Sequence, residues 1–354
     1  MRILIVCPYP FDTAPSQRFR FEQYLNILKN NNHTFEQHSF IDNATWKILY
    51  KSGHQFAKVK GIVLGFVRRF LLLFSLAKFD YVLLHREASP IGPPIFEWII
   101  AKIFRKKIIY DFDDAIWLAN TSEQNKIVAG IKWHQKVGSI SKWSYKISAG
   151  NTYLCNYARQ FNSNVVLNPT TIDTDNGHNR FANQDVNKVI IGWTGTHSTV
   201  QYLRPLVPVL EKLATKYQFT VKVISNQAPD FEIPNLEFLP WNKSTEIDDL
   251  ATFNIGVMPL TDDKWAQGKC GFKALQYMSL GIPAVISPVG VNNEIVSDGV
   301  NGYLCNTENE WYIALETLLI NTEKRKEMGI KARERILEKY AVSANKHNFI
   351  SLFS

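Results

Sequence analysis

The chain has 354 residues, 45% of them apolar, and carries 40 Lys and Arg against 32 Asp and Glu, a formal net charge of +8. This length predicts about two domains, each able to bury a core. The net positive charge asks for acidic partners. However, there is no nucleic-acid module and no basic run interleaved with aromatics, so nucleic acid is not expected. The four cysteines (Cys7, Cys155, Cys270, Cys305) are scattered with no C-x-x-C or metal spacing, which favours a reduced, cytoplasmic setting over a disulfide framework.

The chain enters an apolar strand at once, Arg2-Ile3-Leu4-Ile5-Val6, leaving no room for a signal peptide. The pattern predicts strands from Ile3 to Cys7, Tyr81 to Leu84, Lys107 to Tyr110, Thr152 to Leu154 and Val165 to Leu167. Predicted helices alternate with them from Phe19 to Asn30, Ile95 to Phe104 and Gln124 to Tyr145, the order of a parallel sheet wrapped by helices. Residues 58–78, KVKGIVLGFVRRFLLLFSLAK, join a long apolar run to Lys58, Lys60, Arg68, Arg69 and Lys78. The arginine pair in its middle argues against a membrane-spanning helix. Two readings stay open: a core helix whose arginines snorkel outward, or a helix lying against an anionic membrane surface.

Asn168-Pro169-Thr170-Thr171-Ile172-Asp173 breaks the alternation and a polar stretch follows. Strands resume from Val189 to Trp193, Phe219 to Ile224, Leu236 to Leu239, Ile255 to Met258 and Ala284 to Ser287. The expected organisation is a domain over 1–172, a linker over 173–187, a second domain over 188–340 and a closing segment over 341–354. Lys324 to Tyr340 reads as a charged helix with Met328, Ala332, Ile336 and Tyr340 on one stripe.

Three N-terminal clusters follow strand ends. The loop Pro8 to Arg20 offers Arg18, either a bidentate phosphate contact or a surface arginine at a helix start. His85-Arg86-Glu87 follows the strand Tyr81 to Leu84, and the sequence does not choose among the three. Tyr110 to Trp117 holds Asp111, Asp113 and Asp114, and three carboxylates in four positions repel unless a cation offsets them. Arg18, Arg86 or a metal would serve. A metal is not expected, because hard cations need more oxygen ligands than one run shows. A helix cap is the alternative role for Asp113 or Asp114.

Residues 254–304 are the most informative. The strand from Ile255 leads to a polar loop, then Gly268, Lys269 and Gly271 at a helix start, then Gly281-Ile282-Pro283 and a second strand. Glycines flanking a lysine let backbone N–H groups and one cation converge on a phosphate. Gly290 opens a second turn, with Asn292, Asn293 and Glu294 behind it. If one helix holds Lys269, Lys273 and Gln276, they share a face, and Phe272, Leu275 and Ser279 face the sheet. The pattern suits a nucleotide diphosphate carrying a substituent.

Gln276 to Ala284 (Q-Y-M-S-L-G-I-P-A), Gly290 to Glu294 (G-V-N-N-E) and Asp298 to Leu304 (D-G-V-N-G-Y-L) resemble the motifs of glycosyltransferases of the two-Rossmann-domain (GT-B) type, in particular the retaining family 4. The resemblance covers most of the C-terminal half. It implies an α/β fold of two Rossmann-like domains with a cleft between them and a C-terminal helix crossing back, through Phe349, Leu352 and Phe353. The family carries two glutamates eight positions apart. The one contacting ribose falls on Gln276 and the one reaching the donor sugar falls on Gly268. The Arg and Lys that members place after the first strand of this domain are missing from Gly192 to Ser198.

The resemblance further implies a hexosyltransferase using a UDP- or GDP-sugar, without a metal, in cell-envelope or capsular polysaccharide synthesis. The acceptor would be a glycan or a lipid-linked saccharide, met at the inner face of the membrane. Expected donor contacts are Trp193, Thr194, Gly195, His197, Lys269, Lys273, Gln276, Gly290, Val291, Asn292 and Glu294, with Trp241 near the base. Arg18, Arg86, Asp113 and Asp114 would serve the acceptor and the chemistry. The departures at 268 and 276 keep open a catalytically silent homologue acting as a binding or partner subunit. A sugar-nucleotide epimerase would need more positioned acids in the C-terminal half.

Overall fold

Strands separated by helices cannot return as hairpins, so they pair in parallel. In the computed structural model, which describes residues 1–49, 51, 53–118 and 133–354, this happens twice. One unit comprises Met1–Thr170 with Lys346–Ser354, the other Thr171–Asn345.

The first unit holds β1 (Arg2–Cys7), β2 (Thr34–Ser39), β3 (Tyr81–His85), β4 (Lys107–Phe112), β5 (Lys146–Ala149) and β6 (Val165–Leu167) in the parallel order β2-β1-β3-β4-β5-β6. β1 and β3 have no exposed apolar side chain. β2, reading TFEQHS, escapes a search for apolar runs because it is an edge strand and partly exposed. The strand expected from Thr152 to Leu154 is instead the first turn of a helix, Thr152–Arg159, because Asn151 caps it by accepting the Leu154 N–H at 2.8 Å. The strand itself lies earlier, at β5, where a helix was expected to end. Of that helix, residues 124–132 lie outside the described residues and Lys136–Trp143 is helical. The helix expected from Phe19 to Asn30 is confined to Glu22–Tyr24 and Leu25–Asn30. Near the C-terminus, Phe349 stacks on Tyr24 with ring centroids 4.3 Å apart, and Leu352 and Phe353 are buried.

The helix α1 (Gln55–Leu73) answers the question posed by residues 58–78 in an unexpected way. Its arginines turn inward rather than snorkelling out. Arg69 is 2% exposed and donates to the carbonyls of Ala88 (2.7 Å), His38 (3.0 Å) and Cys7 (2.7 Å). Burial pushes its pKa down to about 10, which leaves it charged at neutral pH. Arg68 bonds the Phe40 carbonyl and Asp42. Gly61 and Gly65 let the helix lie close, since a Cβ at either would strike Thr45 or Phe40.

The second unit holds β7 (Val189–Thr194), β8 (Phe219–Ser225), β9 (Leu236–Pro240), β10 (Ile255–Met258), β11 (Ala284–Ile286) and β12 (Gly302–Leu304), ordered β12-β11-β10-β7-β8-β9 and all parallel. β12, a short edge strand that opens on Gly302, was not expected from the sequence. One face packs a core around Trp193, Leu210, Phe219, Leu315 and Met328. The helix α2 (Phe272–Ser279) lies under the strand ends and is buried almost all round, not only on the face of Leu275 and Ser279. Residues expected to link two domains pack within this unit. Ile172 pairs with Ala341, and the His178 carbonyl accepts from Arg333 at 2.9 Å.

Replacing Arg69 with methionine would strand three strand-end carbonyls and should lower stability by about 3–5 kcal/mol. Arg68→Ala, at a partly exposed position, should cost about 1 kcal/mol or less. Urea midpoints with unchanged m-values would check the order of the two.

Candidate functional site

In an open parallel sheet, ligands collect beyond the C-terminal strand ends where the connections diverge. In the second unit that point lies between β7 and β10. Glycines there are required by close approach. Gly290 has φ +55°, and a Cβ on it would sit 2.9 Å from the Gln267 carbonyl oxygen. Gly271, with φ +67°, would place a Cβ 2.1 Å from Ile295 Cδ1 and 3.3 Å from Asn292 Oδ1. The loops after β10 and β11 therefore touch, and the residues flanking both turns share one patch.

Several expected site residues occupy it, but not in the expected way. Lys269 precedes α2, so Lys269, Lys273 and Gln276 do not share a helix face. Lys269 Nζ lies over the Trp265 ring at 4.8 Å, and Lys273 Nζ over Trp193 at 5.4 Å. Trp193 itself is 1% exposed, a core side chain and no stacking platform for a base. The Thr194 N–H donates to the Tyr277 hydroxyl at 3.1 Å and that of Gly195 to the Ile224 carbonyl at 3.0 Å. His197 is exposed beyond β7. Its N–H donates to Asn226 Oδ1 at 2.8 Å, and its Nδ1 lies 3.0 Å from Asn226 Nδ2. Asn292 is structural: its amide side chain donates to the Ser287 carbonyl, and its backbone N–H to that of Val289. Gly290 and buried Val291 form the turn, and Glu294 is exposed just beyond it.

Gln276 is 2% exposed, and its Nε2 donates to Glu246 Oε1 at 3.4 Å. Trp241 Nε1 donates to the same oxygen at 3.3 Å. Glu246, itself buried, thus brings a carboxylate to the place where the sequence carries an amide. Sequence reasoning missed it, because thirty residues separate Glu246 from Gln276 and no motif marks it.

In the first unit the divergence lies between β1 and β3, and the clusters at 18–20, 85–87 and 111–114 surround it. The three carboxylates are divided between two arginines. Asp111, buried at the end of β4, accepts from Arg20 Nη2 (2.5 Å), Ser148 Oγ (2.6 Å) and His85 Nδ1 (2.8 Å). Arg20 also donates to the Asn168 carbonyl. Burial alone would raise the Asp111 pKa, but Arg20 and His85 outweigh it and hold the carboxyl well below its usual range. Asp113 and Asp114 instead meet Arg86, at 2.7 and 3.1 Å. Arg86 sits at φ +59°, in the left-handed region, at the turn after β3. Burial works against its charge, yet the two carboxylates prevail and keep it protonated above its ordinary range. Both acids are held with Arg86 as a clamp. Arg18, 16% exposed, has Nε 3.6 Å from Asp12 Oδ1. Beside this cluster Trp117 stacks on Tyr157 with centroids 3.6 Å apart. Arg20 was not singled out in the sequence, where nothing distinguishes it from its neighbour Arg18, and His85 was named only as one of the three residues 85–87.

Residues 188–321 match the family model described as group 1 glycosyl transferases. No curated protein matches the chain by sequence. Among solved structures, the chain is similar to sucrose-phosphate synthase from Thermosynechococcus elongatus (TM-score 0.72, 12% identity, 99% of this chain and 98% of that one). It is also similar to HepE from Anabaena, solved with UDP (0.66, 13%, 99% of both), and to the lipopolysaccharide outer core galactosyltransferase WaaB (0.63, 13%, 99% of both). At such identities the likeness speaks for the fold, which is that of the two-domain GT-B glycosyltransferases.

Two outcomes follow from the buried acids. Asp111→Asn removes the buried carboxylate that Arg20 and His85 meet and should cost about 3–5 kcal/mol at neutral pH. Because the folded pKa of Asp111 is depressed, its contribution is complete above the unfolded value of about 4 and fades as pH falls below it. The melting gap between wild type and D111N should therefore stay flat from pH 8 to 5 and narrow in stronger acid. Gln276→Glu sets a second carboxylate against Glu246 and should destabilise by about 1–3 kcal/mol. The swap E246Q/Q276E should recover most of that loss in a thermal melt.

Proposed function

We propose that this chain, with its group 1 glycosyl-transferase domain on a GT-B fold, is a retaining hexosyltransferase. It moves a sugar from a nucleotide-diphosphate sugar to a glycan or lipid-linked acceptor in the assembly of cell-envelope or capsular polysaccharide. The observation that carries the reading is the contact of the Gly271 and Gly290 turns at the divergence of the second sheet, with Lys269 and Lys273 beside them. Such a patch of cations and turn amides suits a diphosphate. UDP is the first nucleotide to test, since HepE was solved with it; GDP is the second.

Departure of a nucleoside diphosphate builds negative charge, so catalysis rests on groups already aimed at it. Lys269, Lys273 and the Gly290–Val291 turn take that role, and in this reading no metal is required. Gln276, steadied by Glu246, would accept or donate to a ribose hydroxyl. His197 would hold a phosphate oxygen or a sugar hydroxyl, and the Glu294 carboxylate would accept from a sugar hydroxyl. On the first unit, the Arg86 clamp with Asp113 and Asp114 would orient the acceptor, and Arg18 would meet a phosphate carried by it. A lipid-linked acceptor would draw a cytoplasmic enzyme to the inner face of a membrane.

One observation favours a second reading, a binding subunit without turnover. Gly268 offers no carboxylate to a donor sugar. The test begins with melting curves in UDP, GDP, CMP, ADP and TDP, for wild type and K269A. A ligand at about 100 times its Kd adds roughly 2.7 kcal/mol to the protein that binds it. The expected result is a rise with one nucleotide, UDP foremost, largely lost in K269A. A rise without any sugar transfer from the matching donor would support the binding subunit. No rise with any nucleotide would defeat both readings.

A further inference from the structure

Helix α1 is amphipathic the wrong way round for a helix at the surface of a protein in water. Its buried side holds Gly61, Gly65, Arg69, Leu72 and Leu73. Its outward side carries Phe56, Val59, Val63, Val67 and Phe70, continued by Phe74, between 47% and 95% exposed. At spacings of three and four these form one stripe about 27 Å long. Lys60 is the one cation on the outward face. Beside α1, Phe66 lines an apolar groove of about 310 Å³ with Ile91, Pro93, Ile95 and Phe96. One turn beyond Ile95, Trp98 is 45% exposed.

A continuous apolar face of this size marks an interaction surface. We propose that the first unit docks on an anionic lipid bilayer through this face, with α1 lying in the interfacial plane. Among the described residues no helix is long and apolar enough to cross a membrane, so the face would rest on the bilayer and not span it. Charge selects the occupant. From Asn43 to Phe79 there is no acidic residue; Arg68 and Lys78 are paired with Asp42 and Glu36, and Lys47, Lys51, Lys58 and Lys60 are the further cations of this segment. Two copies of the chain meeting there would bring these cations together with no acid on the segment to offset them. Anionic headgroups complement them, and the apolar stripe enters the acyl boundary below. A tryptophan at the rim suits the same interface. The inference concerns a surface of the first unit and stands whatever the second unit binds, since docking is read without turnover.

The experiment is co-sedimentation of the full chain with phosphatidylcholine vesicles and with vesicles half phosphatidylglycerol. V63E/F70E breaks the stripe at two exposed positions, and L337E is an exposed control in the second unit. The expected result is salt-sensitive partitioning of wild type and L337E onto the anionic vesicles, at least about tenfold stronger than for V63E/F70E. Melting temperatures near wild type would show that V63E/F70E is folded. Absence of wild-type partitioning, or equal partitioning by V63E/F70E, overturns the proposal. So does a wild-type dimer that ignores vesicles and becomes monomeric in V63E/F70E, which would assign the face to a second copy.

Discussion

The buried ion pair between Arg20 and Asp111 holds the first unit's strand ends together. Arg20 comes from the loop after β1, His85 ends β3, Asp111 lies in β4, Ser148 in β5, and Asn168 follows β6. The pair and its hydrogen bonds therefore tie five chain segments across the sheet. An isolated charge at that depth would be strongly disfavoured, and here each charge has its counterpart and further hydrogen bonds. Once Asp111 is satisfied within the sheet edge, Asp113 and Asp114 project beyond it, and Arg86 meets them at the turn after β3. The inner pair builds the wall of the site, and the outer clamp is the part that can face a ligand.

The second unit reaches the same end without charge. Its strand-end loops are drawn together by backbone approach at Gly271 and Gly290, where a side chain would collide with Ile295 or the Gln267 carbonyl. This economy keeps the two lysines of the patch lying over tryptophan rings. The one buried acid nearby, Glu246, is occupied by Trp241 and Gln276. Such a patch is suited to an anion. That is the physical link between the glycine turns and the diphosphate chemistry assigned to them.

Arg69 has a corresponding part in the orientation of α1. Its guanidinium is drawn inward by three strand-end carbonyls, and this rotates the apolar residues at intervals of three and four away from the core. The outward apolar face is thus a consequence of an inward charge, and lipid docking gives that face a use.

Much of the fold was legible in the sequence because strands buried in a parallel sheet must be apolar along their length, and because turns at the strand ends demand glycine. The strands β1, β3, β4, β7, β8, β10 and β11, the Gly271 and Gly290 turns, and the resemblance over residues 276–304 followed from those requirements, while β6 and β9, partly exposed, were read from their apolar residues alone. Where burial did not dictate composition, the signal failed. β2 is a polar edge strand, β12 is an edge strand that opens on glycine, and Asn151 turned an expected strand into a helix start. Which arginine meets which aspartate, the burial of Trp193, and the bond from Gln276 to Glu246 depend on side chains far apart in sequence meeting in space. Local patterning carries no trace of such pairs, so only the tertiary structure decided them. The orientation of α1 belongs with them, since the partners of Arg69 come from β1, the end of β2 and the turn after β3.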